Sequence, residues 1–411
     1  MPSSTGMFRS LRNRNFRLWS AGALISNVGT WMQRIAQDWL VLTELTHRNA
    51  TAVGIVTALQ FAPQILLLPW TGHVADHFDR RKVLMATQGV MAALALSLGL
   101  LTIAGIVQLW HVYVFAALLG SATAFDSPAR HVFVSELVGD ADLSNAVGLN
   151  STSFNLARMI GPSMAGGLIA AVGTGPSFLI NAASSLAVLG TLSLVRTGEL
   201  HRDHGAAAPR GGLADSLRYV RARPDLRALF LMLFLFCTFG LNFPVFISAM
   251  SVKVFHTGAS EYGILTAAMA VGSITGAILA ARRDKPQLKF LIGGAALFGG
   301  GVALAAVMPD SRLFGLALIL VGIAAQTITT SATGLVQLST DRHMRGRIMA
   351  LFLAIVLGGL AMGAPFVGWV ADRFGARWAL GVGAVAGLAA AAVGLRELLR
   401  HRRQGGLPAP D

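Results

Sequence analysis

This chain of 411 residues is short of charge, of acid and of thiol, and each shortage excludes something. Only 13% of its residues are Asp, Glu, Lys or Arg, about half the share found in a soluble domain. So few charges cannot clothe a water-facing surface of this size. With 54% hydrophobic residues and a mean hydropathy of +0.62, the composition is that of a polytopic membrane protein. Acids are scarcer than bases, 19 against 33, and the formal charge is +14. The cations sit in gaps between apolar runs and not on a candidate reading helix, which argues against nucleic-acid binding. The one cysteine, Cys237, lies inside an apolar run. It rules out an intrachain disulfide, offers no metal-site pattern, and reads as a small core residue. Gly299–Gly301 lacks the Lys-Ser/Thr that a phosphate loop needs, so direct nucleotide drive is not expected.

What is present is a series of long apolar runs. Requiring about 20 largely apolar residues to cross a ~30 Å hydrocarbon layer gives twelve candidate spans. They lie at 16–42, 51–75, 82–105, 109–129, 144–172, 174–195, 226–252, 260–281, 288–308, 312–336, 346–371 and 376–396. The first follows Arg9, Arg12, Arg14 and Arg17, the charge order of a signal peptide. Its hydrophobic stretch is too long and lacks a small-residue cleavage site, so a retained helix is expected. With the N-terminus in the cytosol, 26 of the 33 Lys and Arg fall in cytosolic segments. Five fall in outer loops (Arg48, Lys253, Arg312, Arg373, Arg377) and two in the membrane (Arg34, Arg158). The reverse orientation inverts that bias, so both termini are expected to be cytosolic.

The longest polar segment, Arg196 to Arg227, carries seven arginines with Pro209, Gly211 and Gly212. It reads as a cytosolic linker with a short amphipathic helix near Asp215–Arg223. The expected organisation is a six-helix bundle over 1–195, a linker over 196–225, and a second six-helix bundle with a cytosolic tail over 226–411. The fold class is therefore all-α, with two pseudo-symmetric halves. Span five carries Gly161-Pro162 with Gly166, and span eleven echoes it with Gly363-Ala364-Pro365 and Gly368. Most of the other glycines at small-residue spacings read as helix-packing positions.

Residues 72–82 form a short charged interruption between spans two and three, with Gly72 and Asp76 a turn apart and Arg80, Arg81 and Lys82 in succession. This turn resembles the signature between helices 2 and 3 of the major facilitator superfamily. Gly72, Asp76, Arg80 and Arg81 match it, while His77 replaces its first cation and Asp79 its second glycine. Gly161-Pro162-Ser163-Met164-Ala165-Gly166 is similar to the antiporter signature of exporters, with Ala165 in place of a glycine. Asn13-Phe16 to Trp39-Leu40, Phe125 to Arg130 and Arg345-Gly346-Arg347 also resemble the bacterial twelve-span drug and siderophore exporters of the transmembrane secretion effector type. Gly368, Asp372, Arg373, Phe374, Gly375 and Arg377 fit the superfamily signature as well. In the expected topology that second turn lies on the outer face, either as an interlock there or because the span count is off by one.

Charges inside the membrane are costly, about 2.5–3.5 kcal/mol each on insertion scales, so they point to function or to pairing. Arg158 shares a helical face with Ser151, Asn155 and Pro162. It reads either as a cavity-facing cation for an anionic substrate group or as a brace on neighbouring carbonyls. Asn27, Trp31, Arg34 and Asp38 form one stripe of span one. Arg34 and Asp38 are spaced to form an internal salt bridge, or Asp38 is the protonatable carboxylate of an antiport cycle. The resemblance implies that Arg80 pairs with Asp126, and that Asp76 faces the N-terminal dipole of helix 11. Asp79, in place of a glycine, would alter that latch. Gln60 and Gln64, Asn242, and Gln326 with Thr330 and Thr333 are candidates to line a cavity, as are Trp31, Phe234, Phe239 and Phe243 for an apolar substrate.

The expected function is secondary active transport in the bacterial inner membrane, as a monomer. An amphipathic small molecule would leave by alternating access in exchange for protons, with the proton gradient as energy source and with no cofactor and no metal. The alternatives are a uniporter or importer of the same fold, a lipid flippase, and a membrane sensor. The sensor would need a sizeable soluble domain that the sequence does not display.

Overall fold

The computed structural model describes residues 8–201, 213–283 and 286–403. The regular structure of these residues is helical. Twelve helical segments stand where the twelve apolar runs were placed. They are α1 (Arg14–Trp39), α2 (Ala50–Leu66, continued after Leu67 by Leu68–His77), α3 (Arg80–Ile103), α4 (Leu109–Val138), α5 (Asp140–Val172) and α6 (Gly175–Leu194). After these come α7 (Pro224–Val254), α8 (Ala259–Ala281), α9 (Leu288–Val307), α10 (Ser311–Ser339), α11 (Arg345–Arg373) and α12 (Ala376–Arg403). The expected amphipathic helix is present as Leu213–Ala222. Pro209, Gly211 and Gly212 of the linker lie outside the described residues.

Helix starts are set by side chains that accept from otherwise orphaned backbone N–H groups. Asn13 takes the Phe16 N–H at 3.1 Å, Asp79 the Lys82 N–H at 3.2 Å, and Asp310 those of Arg312 and Leu313 at 2.9 Å. Arg81 works at the other kind of end. It donates to the Leu192 and Ser193 carbonyls at 2.7 and 3.0 Å, closing the last turn of α6.

Nine of the twelve segments are long and apolar enough to cross a bilayer by length and composition among the described residues. The three that fall short are α1, α2 and α5. Helix α2 is interrupted at Leu67, two residues before Pro69, which has no N–H to give the ladder and restarts the helix from its first turn. Helices α1 and α5 are diluted by the polar and charged residues singled out in the sequence: Asn27, Arg34 and Asp38 in one, Ser151, Asn155 and Arg158 in the other.

The chain divides into two compact units. One comprises Met1–His47, Leu59–Ala206 and Gly258–Ala267; the other comprises Arg48–Ala58, Ala207–Thr257 and Ala268–Asp411. In the first, α1 packs on α5 and α6, and α3 on α4 and α6. Its core includes Phe16, Trp19, Leu84, Phe133, Leu137, Val188 and Leu192, with the Trp19 ring edge-on to Phe133 at 5.3 Å. In the second, α9 packs on α10 and α12, around Phe236 edge-on to Phe298 at 5.0 Å.

Helix α7 is discontinuous. It widens at Phe236–Gly240, leaves helical geometry at Leu241 and Asn242, resumes at Phe243–Ala249 and widens again at Met250–Val254. Irregular backbone at membrane depth is tolerated only where protein covers it. Gly359 and Gly363 of α11 supply that cover, because their missing side chains let α11 lie directly on the Cys237–Thr238 backbone.

Candidate functional site

In the first unit, the stripe on α1 and the signature helix α5 come together around Trp31. Gly161 brings the α5 backbone so close that a Cβ there would sit 2.7 Å from the Trp31 Cβ. Phe154, on the same face of α5, places its ring edge-on to the Trp31 indole at 5.9 Å. On the α1 side, the Arg34 guanidinium lies over the same indole at 4.9 Å from its centroid. Asn27 and Trp31 are half-buried, and Asn155 is half-buried with its amide turned back to the Ser151 carbonyl at 2.9 Å.

The expected Arg34–Asp38 salt bridge is not formed. Asp38, 7% exposed, accepts instead from the Tyr262 hydroxyl of α8 at 3.0 Å. Tyr262 is buried and stacked on Trp39 at 6.0 Å. The spacing of Arg34 and Asp38 allowed the pair, but Arg34 has the Trp31 face to lie on and Asp38 has a neutral donor from another helix. Sequence reasoning missed Tyr262. Nothing local in α8 marks it, since its partner lies more than two hundred residues away in the chain.

The start of α8 is seated on α5 through glycine. A Cβ at Gly166 would come within 2.6 Å of the Ala259 carbonyl, and one at Gly263 would meet the Pro162 carbonyl. Ser260 donates to the Gly166 carbonyl at 3.3 Å. Gly161, Pro162 and Gly166, matched to the antiporter signature by resemblance, thus serve close approach of α5 to α1 and α8. Arg158 lies just before them, between Phe154 and Gly161 on the same face of α5. Its Nε and Nη2 are buried and find no acceptor among the described residues.

The turn at 72–82 differs from expectation in its pairing. Arg80 bridges Glu136 of α4 at 3.2 Å, not Asp126. Asp126 is taken by Arg130, one helical turn along, at 2.9 Å, and by Thr87 and Gln88 at 2.9 and 2.8 Å. Four residues on the same helix is a shorter reach than the turn between helices can offer. Asp79 caps the start of α3, a reason for an acid at a position where the superfamily pattern has glycine. Gly72 has nothing within 4 Å of a built Cβ. The side chain of Asp76 lies outside the described residues.

In the second unit, the signature-like turn after α11 is built around Asp372. Its carboxylate accepts the Ala50 and Thr51 backbone N–H groups at 2.8 Å each, and also the Thr51 hydroxyl and the Lys253 ammonium. It therefore caps the N-terminus of α2 while holding a cation from α7. Gly368, one turn earlier, lets α11 reach that point: a Cβ there would be 2.5 Å from the Ala50 carbonyl.

The remaining cavity candidates divide. Gln64 donates to the Gln60 carbonyl at 2.9 Å and Gln326 to the Thr330 hydroxyl at 3.1 Å, all four residues being half-buried or exposed. Asn242 is a correction: it is fully buried at the break of α7 and donates to the Thr238 carbonyl at 2.7 Å. It sits at a helix break inside packed protein, with its Oδ1 buried and without a donor among the described residues, and lines no open surface.

A bundle of membrane helices with a discontinuous segment, proline-bearing helices packed through glycine, and a few buried charges is the architecture of a membrane transporter. Residues 5–407 match the transmembrane secretion effector family, and the chain belongs to it. Among curated relatives, the staphyloferrin A transporter of Staphylococcus aureus is 25% identical over 85% of this chain and 87% of its own. The multidrug efflux pump Tap of Mycolicibacterium fortuitum is 25% identical over 86% and 88%, and the macrolide efflux protein A of Streptococcus pyogenes is 23% identical over 88% and 90%. Among solved structures, a bacterial homologue of the human lysosomal transporter Spinster, inward-facing and occupied, superposes with a TM-score of 0.75 at 14% identity, covering 99% of this chain and 100% of that one. The nucleoside transporter NupG superposes with a TM-score of 0.70 at 13% identity, covering 93% and 99%. The fold is that of the major facilitator transporters, and the chain is a multi-pass membrane transporter and not an enzyme.

Proposed function

We propose that this transporter exports an amphipathic small molecule across the bacterial plasma membrane in exchange for protons, by alternating access. The observation that carries the reading is Asp38. It is a carboxylate within a membrane helix, buried, touched by no cation among the described residues, and held by a phenol. Intramembrane acids of this kind serve proton relays. A hydroxyl both donates and accepts, so Tyr262 can serve the carboxyl in either protonation state. Export as the direction is supported by the names of the curated relatives, which include efflux proteins for macrolides and for multiple drugs.

Both termini are read as cytosolic, a reading supported by the excess of Lys and Arg in the segments that this orientation puts in the cytosol. The same choice puts Arg80 and Glu136 at the cytosolic end and Asp372 with Thr51 at the outer end. The transporter acts as a monomer, with the proton gradient as its energy source.

The test uses everted vesicles from cells overproducing the chain, energised by respiration. Erythromycin and ethidium are first screened for expulsion by comparing deletion and overproducing strains. Adding an expelled compound should alkalinise the vesicle lumen, and Asp38→Asn should abolish that change. A compound that is expelled with no lumenal pH change would remove proton exchange from the reading.

A further inference from the structure

Charge in the first unit is unbalanced within its membrane helices. Asp126 is paired with Arg130, Glu136 with Arg80, and Asp38 with the neutral Tyr262 hydroxyl. Among the described residues, Arg34 and Arg158 therefore stand in the membrane without a carboxylate in contact, one against the face of Trp31 and the other with two buried guanidinium nitrogens that have no acceptor. A buried charge left unpaired in low dielectric is costly, and it persists where an opposite charge arrives to meet it.

The surroundings define what that opposite charge would be attached to. Phe154, Arg158 and Gly161 follow at helical spacing on one face of α5, and the residues on either side of Arg158 both meet Trp31. Side chains on a helix lean toward its N-terminus, so Arg158 leans toward the turn that carries Phe154. The Arg34 guanidinium thus lies over an indole whose other neighbours, Phe154 and Gly161, stand one turn either side of Arg158 on α5. Guanidinium forks match the two oxygens of a carboxylate, and an aromatic face accepts a flat apolar body.

We propose that Arg158, with Arg34 and Trp31, forms the recognition site for an organic anion, a carboxylate carried on an aromatic or similarly flat apolar body. This names the substrate class within the transport reading above and rests on it. Asp38 is not part of the recognition: it remains the proton site, and its negative charge close to Arg34 is what the incoming anion would compete with. An anionic lipid headgroup shares the same chemistry, and the commitment here is to the soluble amphipathic carboxylate.

The experiment measures ligand binding to the purified chain in phosphatidylcholine nanodiscs, with no proton gradient. Three probes share one ring system: 1-naphthoate, 1-naphthamide and 1-naphthylmethylammonium. Saturable thermal stabilisation is expected from naphthoate alone. Arg158→Gln should weaken it at least about tenfold, the loss of a charge-assisted contact, and Arg158→Lys by less. Stabilisation by the amide or the ammonium as strong as by naphthoate overturns the proposal on the wild-type protein, whether or not any variant folds. So does the absence of any response to naphthoate, or an Arg158→Gln protein that responds as wild type. Nanodiscs containing phosphatidylglycerol should leave the naphthoate response in place; its loss there would assign the site to lipid and overturn the soluble-substrate proposal. Binding without a gradient is independent of the vesicle assay, so failure of anion recognition and failure of proton exchange are read separately.

Discussion

The Tyr262 hydroxyl donates to Asp38 at 3.0 Å, fastening the first turns of α8 to α1 through a buried carboxylate. Tyr262→Phe keeps the ring and its stacking on Trp39 but leaves the carboxyl without its donor. The expected cost is about 1–3 kcal/mol, the penalty for an unmet buried polar group. It should appear as a lower unfolding midpoint in nanodiscs. Asp38→Asn retains an acceptor for Tyr262 and should change stability by less than about 1 kcal/mol. A Tyr262→Phe protein as stable as wild type would show that the contact contributes nothing.

Asp372 predicts a local effect. Replacing it by Ala removes the cap from the Ala50 and Thr51 N–H groups and the partner of Lys253. Cap loss alone costs about 0.5–2 kcal/mol. Amide hydrogen exchange should accelerate over 50–58 while the α1 amides keep their rates. Unchanged exchange at the start of α2 would mean that the cap is not what orders it.

These two contacts also mark the limit of what the sequence discloses. The helices were readable because a span needs length and apolarity, and both are local. The departures were readable too: the polar stripes on α1 and α5 are the features that keep those helices below the apolarity of the others. Pairing was not. Arg34 and Asp38 have the spacing of an ion pair, yet each found a better neighbour on the aromatic face of Trp31 or on α8. Arg80 matched a family pattern whose partner acid was already occupied within its own helix by Arg130. Asp79 stood out only as a departure from the family pattern, and its role as the cap of α3 came from the structure. Asn242 read as a cavity residue because polar side chains in spans often are; only the break in α7, which no periodicity announces, explains its burial.

The reassigned partner of Arg80 is open to a double-mutant cycle. Arg80→Ala and Glu136→Gln remove two sides of one contact whose acid is 6% exposed. Their effects on unfolding free energy should be non-additive by about 0.5–3 kcal/mol. Arg80→Ala combined with Asp126→Asn should instead be additive to within about 0.5 kcal/mol, because those groups share no contact. Coupling of Arg80 to Asp126 and not to Glu136 would restore the pairing that the family resemblance implied.

Gly363 tests whether α7 needs its break. At that position a Cβ would overlap the Thr238 carbonyl oxygen, and a carbonyl held in a wide helical turn cannot swing aside as a side-chain tip can. Gly363→Ala must therefore push α11 away from α7 or disturb the turn, at a cost of about 1–3 kcal/mol or more for overpacking. Gly300→Ala is the matched control: a Cβ there meets nothing within 4 Å, and the substitution favours a helix interior by about 0.5–1 kcal/mol. Unfolding midpoints of the two variants in nanodiscs should move in opposite directions from wild type. If Gly363→Ala melts as wild type does, the close seat of α11 on Thr238 does not hold α7 in its broken form. The cover that excuses irregular backbone at membrane depth would then have to come from α9 and α12, through the Phe236–Phe298 contact and its neighbours.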